Sequence, residues 1–273
     1  MINLFDLTIA YRKKKAIANL NLTINKGESV LLAGANGSGK TTLLRAVAGV
    51  LLPKTGEILV NDERVGYRTR RKTAYIPSSI SFYDSLKVKE AIKLHGSFYP
   101  GFAYQGIGGY RFDVNQGVGT LSRGEKTLFF LSLSLSTSPD YLLIDDVIHL
   151  LDPHLREIFI QSILQLIEAE KMAVVIAAQS AFDIEGLVER VVLLDKGRVF
   201  LDEPVEDLKG KFVKMYSQVA REDLPVVFSR DWQGMKELYL YPFMPGVKTG
   251  AEVEHLSLTE ILRAFIGGEY VNR

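Results

Sequence analysis

The chain has 273 residues, of which 47% are hydrophobic and 24% charged, an ordinary balance for a globular protein with a sizeable core. Its 33 Lys and Arg residues nearly equal its 32 Asp and Glu residues, so no net field would attract nucleic acid, and no nucleic-acid partner is expected. The absence of cysteine excludes disulfides, thiolate catalysis and Cys-ligated zinc.

The predicted elements begin with two stretches, LTIAYR and NLNLTIN, whose alternating apolar and polar residues indicate antiparallel strands. Later strands are continuously apolar, at 29–34, 141–145, 172–178 and 190–194. Helices are predicted over Thr41–Val50 and from Pro153 to about Glu170. Buried strands that alternate with helices indicate an α/β fold, in which a mostly parallel sheet is covered on both faces.

Three segments depart from that alternation. Residues 77–120 contain one predicted helix, about Lys87 to His95, and then a Gly- and Tyr-rich stretch, which we interpret as part of an inserted subdomain. LFFLSLSLS, at 128–136, alternates as a strand would. The basic run RKKK, at 12–15, is interpreted as a solvated turn between strands.

The pattern changes again after about Gly210, and residues 211–273 are predicted to form a small C-terminal extension. Ser257 precedes Glu260 by three residues, which predicts a capped helix within 256–268. Trp232 and the neighbouring aromatic residues are expected to form the core of this extension.

A phosphate-binding loop is predicted at GANGSGKT, residues 34–41, between a strand and a helix. Its glycines let backbone N–H groups approach phosphates closely. Lys40 would reach the β- and γ-phosphates and the Thr41 hydroxyl would ligate Mg²⁺. A simple Gly-rich turn would leave both residues unexplained. The candidate nucleotide-binding residues here are Gly34, Asn36, Gly37, Ser38, Gly39, Lys40, Thr41 and Thr42.

Such a loop requires a second magnesium group on a neighbouring strand. YLLIDD, residues 141–146, ends an apolar run on two aspartates, and Asp145 is the candidate metal ligand. A helix cap or a solvated loop acid is the alternative for Asp145. Together with the loop, this acid predicts a nucleotide and Mg²⁺ as ligands.

GANGSGKTT, LSRGE (121–125), YLLIDD and LLDP (150–153) occur in an order that resembles the ATP-binding subunits of ABC transporters, over about residues 1–210. The resemblance implies a P-loop NTPase core with an antiparallel N-terminal β-subdomain and an inserted helical subdomain at about 77–140. It implies that Tyr11 stacks on adenine, and that Ser122 and Gly124 bind the γ-phosphate of ATP held by a second subunit. It also places a helix at 128–136, against the alternation.

The same resemblance implies two kinds of partner, integral membrane transporter subunits and a second ATP-binding subunit in a homo- or heterodimer. No stretch of the sequence approaches the roughly 18 consecutive apolar residues of a membrane span, so a membrane role is expected to go through a partner. The expected location is cytoplasmic, peripheral on the inner face of the cell membrane.

Three positions differ from the family pattern, and all concern hydrolysis. Asp146 stands where the family has a glutamate as general base, Gln179 stands where it has a histidine, and Ser78 stands where it has a glutamine. These changes predict a site that binds ATP but hydrolyses it slowly. His149 and His154 are expected at the surface beside the loop that couples the two sites, a loop to which Asp152 belongs.

Three functions remain open from the sequence. The first is the weaker half of a heterodimeric transporter ATPase. The second is a homodimeric ABC ATPase that uses Asp146 as a slow base, and the third is an ATP-dependent switch of the same superfamily without a membrane partner.

Overall fold

The computed structural model describes residues 1–12, 14–80, 84–169, 172–219, 221, 223–244, 249 and 251–267. The strands are β1 (Ile2–Tyr11), β2 (Lys14–Ile24), β3 (Ser29–Ala33), β4 (Thr55–Val60), β5 (Glu63–Arg64), β6 (Thr73–Ile76), β7 (Tyr141–Asp145), β8 (Ala173–Ala178), β9 (Arg190–Asp195), β10 (Arg198–Pro204), β11 (Val213–Ser217), β12 (Val226–Trp232), β13 (Met235–Leu240) and β14 (Val253–His255). The helices are α1 (Lys40–Val47), α2 (Val88–Gly96), α3 (Arg123–Leu135), α4 (Pro153–Glu168), α5 (Val205–Lys211) and α6 (Leu258–Gly267). Glu170 and Gly268, at the ends of two predicted segments, lie outside the described residues.

The centre of the molecule is a six-stranded sheet with the order β10-β9-β3-β8-β7-β6. Its neighbouring strands are parallel, except that β10 pairs antiparallel with β9. Every residue of β3 and β7 is buried, because helices and loops cover both faces of the sheet. The parallel sheet predicted from the four apolar stretches is confirmed.

A second sheet, β2-β1-β4-β5, is antiparallel throughout. Its inward residues, among them Ile2, Leu4 and Ile58, join Leu43 and Val47 of α1 in one apolar cluster. The cluster also contains one face of the central sheet, so α1 is enclosed between the two sheets. The antiparallel N-terminal strands predicted from alternation are confirmed.

Residues 128–136 lie mainly in α3, so the strand favoured by their alternation is wrong and the helix implied by the resemblance is right. Leu128 and Leu131 face the main core, whereas Phe129 and Leu133 face a separate apolar cluster that also contains Val88 and Val118. A helix buried on two sides needs apolar residues around most of its circumference, which blurs its 3.6-residue period.

The C-terminal residues form a four-stranded antiparallel sheet, β12-β13-β11-β14, followed by α6. The predicted cap of α6 is present, since Ser257 N donates to Glu260 Oε2 at 2.9 Å and Glu260 N donates to Ser257 Oγ at 3.3 Å. Trp232, expected in the core, is instead 46% exposed, with the Arg230 guanidinium 5.3 Å from its ring centre. Within the described ranges, no helix has the length and apolar character to cross a membrane.

Candidate nucleotide-binding site

The predicted phosphate loop joins β3 to α1 at the carboxyl edge of the central sheet. Gly34, Gly37 and Gly39 have φ angles of 145°, 80° and 115°, which residues with a Cβ rarely adopt. The helix starts at Lys40, one residue earlier than predicted, and ends at Val47 rather than Val50. The loop therefore presents its backbone and the N-terminus of α1 in the geometry that suits an anion.

The Lys40 side chain folds over this loop. Its ammonium group donates to Gly34 O at 2.6 Å and to Ala35 O at 3.2 Å. Burial lowers the pKa of Lys40, while the nearby carboxylates of Asp146 and then Asp145 act in the opposite direction. Lys40 is thus a partly desolvated cation with two carboxylates close by, a position from which it can exchange loop carbonyls for phosphate oxygens.

Alanine substitutions at Gly39 and Gly37 separate two effects on stability: the steric contact of an added Cβ and the strain of a positive φ angle. A Cβ on Gly39 would lie 2.7 Å from Ile17 Cδ1 and 2.8 Å from Ala16 O, whereas a Cβ on Gly37 would meet nothing within 4 Å. Gly39→Ala should therefore destabilise the protein by about 3 kcal/mol, and the control Gly37→Ala by about 1–2 kcal/mol from the positive φ alone. Urea unfolding without nucleotide measures both, and equal losses would contradict the packing of Gly39 against β2.

Asp145, at the carboxyl end of β7, is 1% exposed and accepts two hydrogen bonds. Thr41 Oγ1 donates to Asp145 Oδ1 at 2.8 Å, and the Tyr75 hydroxyl donates to Asp145 Oδ2 at 2.9 Å. Burial raises the pKa of Tyr75 to about 12, so Tyr75 remains a neutral donor. The two residues predicted to hold Mg²⁺ are thus in direct contact, and their oxygen atoms fit the preference of Mg²⁺ for hard ligands completed by phosphate and water.

The sequence did not identify Tyr75 as part of the site. Tyr75 lies on β6, which pairs with β7 in the register that brings Tyr75 beside Leu143. A further hydrogen bond, from Arg45 Nε to the Tyr75 hydroxyl at 3.4 Å, connects this tyrosine to α1. The sequence signal for Tyr75 was its place near the end of a strand. It is a polar aromatic residue one position before Ile76, the last residue of β6.

Asp146 follows β7 with a φ angle of 54°, in the left-handed region that Asp tolerates better than most residues. Its backbone N–H donates to Ala177 O at 3.0 Å, which fixes the turn to the end of β8. Its carboxylate lies beside His149, with 3.4 Å between Asp146 Oδ1 and His149 Nδ1. Asp146 therefore stands next to the predicted metal ligand but is turned by an unusual backbone conformation.

Gln179 and Ser78, the other two departures from the family pattern, make different contacts. Gln179 follows β8, and its Nε2 donates to Asn36 Oδ1 of the phosphate loop at 3.0 Å. Ser78 contributes its backbone carbonyl, which accepts a hydrogen bond from Arg123 Nη2 at 3.2 Å. Gln179 is thus linked to the predicted phosphate site, whereas Ser78 is linked through its main chain to the segment that contains Ser122.

A pocket of about 440 Å³ lies over the phosphate loop. Its lining residues are Tyr11, Lys14, Lys15, Ala16, Asn36, Gly37, Gly39, Lys40, Thr41, Thr42, Asp146 and Lys196. Tyr11 is 46% exposed, so its ring is accessible for stacking. Lys14 and Lys15, from the predicted solvated turn, line this pocket, and so does Lys196 from the β9–β10 turn. The sequence did not predict this role. Lys13 lies outside the described residues.

Ser122 and Gly124 lie in a different place, at the N-terminus of α3. Ser122 Oγ accepts from Glu125 N at 3.2 Å, and Glu125 Oε2 accepts from Ser122 N at 2.8 Å, which closes a capping box. That backbone hydrogen bond from Ser122 is the main cause that lowers the pKa of Glu125. Neither Ser122 nor Gly124 is among the residues that line the pocket over the phosphate loop.

The phosphate loop between β3 and α1 and the buried Asp145 beside Thr41 define a P-loop nucleotide-binding protein. Residues 17–149 match the family model described as ABC transporter. This match spans just under half of the chain, and within it the chain is similar to the ATP-binding subunits of ABC transporters.

Known ATP-binding proteins and solved structures are also similar to this chain. The ABC transporter ATP-binding protein NatA of Bacillus subtilis is 28% identical over 250 residues, which cover 84% of this chain and 96% of NatA. The zinc import ATP-binding protein ZnuC of Ehrlichia ruminantium is 27% identical, covering 81% of this chain and 91% of ZnuC. The dimeric ATP-binding cassette MJ0796 bound to ADP and Pi has a TM-score of 0.67 at 23% identity, covering 75% of this chain and 98% of that one. The predicted ABC ATPase fold is confirmed.

Proposed function

We propose that this chain is the ATP-binding subunit of an ABC transporter, working from the cytoplasmic face of the cell membrane on separate membrane-spanning subunits. The observation that carries the proposal is the contact between Thr41 and Asp145 beside the loop that contains Lys40. It brings together the residues that would bind Mg²⁺ and the residue that would bind the phosphates of ATP. The relatives NatA and ZnuC, named for ATP binding in transport, support the same function.

The nucleotide would be bound along the pocket over the phosphate loop. Tyr11 would stack on the adenine at the rim, and the loop N–H groups together with Lys40 would hold the phosphates. Thr41 and Asp145 would hold Mg²⁺, which neutralises phosphate charge when it is bound. Lys14, Lys15 and Lys196 add positive charge to the walls of this pocket, which favours a polyanionic ligand.

A second cassette would complete the site. Ser122 and Gly124 lie outside the pocket of their own chain, so they would be available to the γ-phosphate of ATP on a partner. The cap at Ser122 supports this role, because it holds the hydroxyl and the start of α3 in one conformation. In this arrangement the inserted region, about residues 77–140, would contact the membrane subunits, and residues 211–273 would form an appended extension.

This chain would be the weaker half of a heterodimer. The carboxylate of Asp146 is one C–C bond, about 1.5 Å, shorter in reach than that of a glutamate, and a misplacement of about 1 Å can cost on the order of 10²-fold in rate. Gln179 cannot titrate as a histidine does, and it already donates to Asn36. A slow homodimeric ATPase is the second candidate, since Asp146 still lines the nucleotide pocket; a switch without a membrane partner is the third.

The test is ATP turnover by the purified chain, alone and with candidate partner cassettes and membrane subunits. We expect tight Mg-ATP binding with little turnover alone, and substantial turnover once a competent partner is added. Lys40→Ala in this chain controls for contaminating activity, and Ser122→Ala should reduce turnover at the partner's site. Robust turnover by the chain alone would contradict the heterodimer, and failure to bind ATP would contradict the proposed function itself.

A further inference from the structure

His149 lies beside the Asp146 carboxylate, and the turn between β7 and α4 brings the two side chains together. The two residues are three positions apart, and His149 lies within the single helical turn at Ile148–Leu150. Val147 and Ile148, at 1% and 8% exposure, anchor that turn in the main core. The Leu150 N–H donates to Val147 O at 2.9 Å, so the position of His149 is fixed by a packed and hydrogen-bonded backbone.

The Asp146 carboxylate lies at a boundary between two pockets. One is the pocket over the phosphate loop, and the other, of about 300 Å³, is lined by His149, Gln179 and Asp183 among others. On the nucleotide side, Asp146 exerts the strongest electrostatic pull on Lys40. On the other side is His149, with 3.4 Å between the nearest atoms. The carboxylate therefore lies between the pocket that contains Lys40 and the pocket that contains His149.

Asp183, the other acid of the second pocket, has its own partner. Arg156 Nη1 donates to Asp183 Oδ2 at 3.2 Å, and Arg156 Nη2 donates to Leu151 O at 3.0 Å. Among the described residues, Asp146 is the acid within ion-pair distance of the His149 imidazole, whereas Asp183 pairs with Arg156.

We propose that His149 is a positioning residue for hydrolysis, which holds one oxygen of Asp146 and so orients the other toward the nucleotide pocket. A short aspartate side chain has two rotatable bonds, and a partner on one oxygen limits the conformations it can sample. The inference rests on the proposed function, in which Asp146 is the only acid at the base position. It assigns the residual turnover of this site to an Asp–His pair.

The experiment measures single-turnover hydrolysis of radiolabelled Mg-ATP at saturation, together with ATP affinity. His149→Ala should lower the rate about tenfold with unchanged affinity, because the carboxylate is less well oriented. His149→Asn should retain the rate within about threefold, because the Asn amide carries a donor at the same bond distance from the backbone as Nδ1. The matched control is His154→Ala, which removes an exposed imidazole from the first turn of α4 and should change nothing.

A double-mutant cycle decides whether His149 acts through Asp146. In an Asp146→Glu background, which keeps measurable turnover but moves the carboxylate about 1.5 Å from its place beside His149, His149→Ala should cause little further loss. An equal fold-loss in both backgrounds, an unchanged rate in His149→Ala, or a loss of ATP affinity would each overturn the proposal. Undetectable Mg-dependent hydrolysis by the wild-type chain would also overturn this inference. It would leave the proposed function intact, because that function requires ATP binding. Failure to bind ATP would instead refute the proposed function.

Discussion

Replacing Asp146 by Glu, Gln179 by His and Ser78 by Gln in one chain should raise its ATP turnover by on the order of 10²-fold. The glutamate moves the carboxylate about 1.5 Å further into the nucleotide pocket, and such a change in the placement of a catalytic group has effects of this size. The histidine restores a side chain that can titrate beside the phosphates, and the glutamine restores reach at position 78. Steady-state phosphate release, measured at saturating Mg-ATP, tests this prediction.

The single substitutions serve as controls for the triple variant. Asp146→Glu should supply the largest part of the gain, and Asp146→Asn should abolish turnover, because an amide cannot accept the proton of the attacking water. Glu is less tolerant than Asp of the φ angle of 54° at this position, so a loss of about 1 kcal/mol in unfolding free energy is expected beside the gain in rate. Unchanged turnover in a folded triple variant would contradict the idea that these three positions limit hydrolysis.

Asp145→Ala should abolish Mg-dependent tightening of ATP binding and also destabilise the fold. The substitution removes the acceptor of both the Thr41 and the Tyr75 hydroxyls in a place that is 1% exposed. Each hydroxyl left without an acceptor costs about 1–3 kcal/mol where water cannot replace the partner. ATP affinity with and without Mg²⁺, and urea unfolding of the nucleotide-free protein, measure the two effects.

Asp145→Asn separates the two roles of this residue. Its amide oxygen still accepts one of the two hydrogen bonds, so it should destabilise the fold less than Asp145→Ala. It has lost the negative charge that a divalent cation requires, so the effect of Mg²⁺ on ATP affinity should disappear in both variants. A Mg²⁺ effect that survives in Asp145→Asn would contradict the assignment of Asp145 as a metal ligand.

The sequence predicted much of the fold because local patterns determine it. Continuous apolar stretches indicated the parallel strands β3, β7, β8 and β9, and alternation indicated the antiparallel N-terminal sheet. The segment 128–136 was misleading for a physical reason. Its helix is buried against two cores, and local periodicity reports burial on one face only.

The same distinction applies to the proposed nucleotide site. By itself the sequence determined the phosphate loop and the acid at the end of β7, because both motifs are contiguous and their chemistry depends on residue type and spacing. Only the tertiary structure decided which side chains from distant elements meet there: Tyr75 on Asp145, Lys196 and the β2 lysines along the pocket, and Gln179 on Asn36. These contacts depend on strand order and register across the sheet. The pairing of Asp146 with His149 depends on the left-handed backbone conformation of Asp146, which no local sequence pattern predicts.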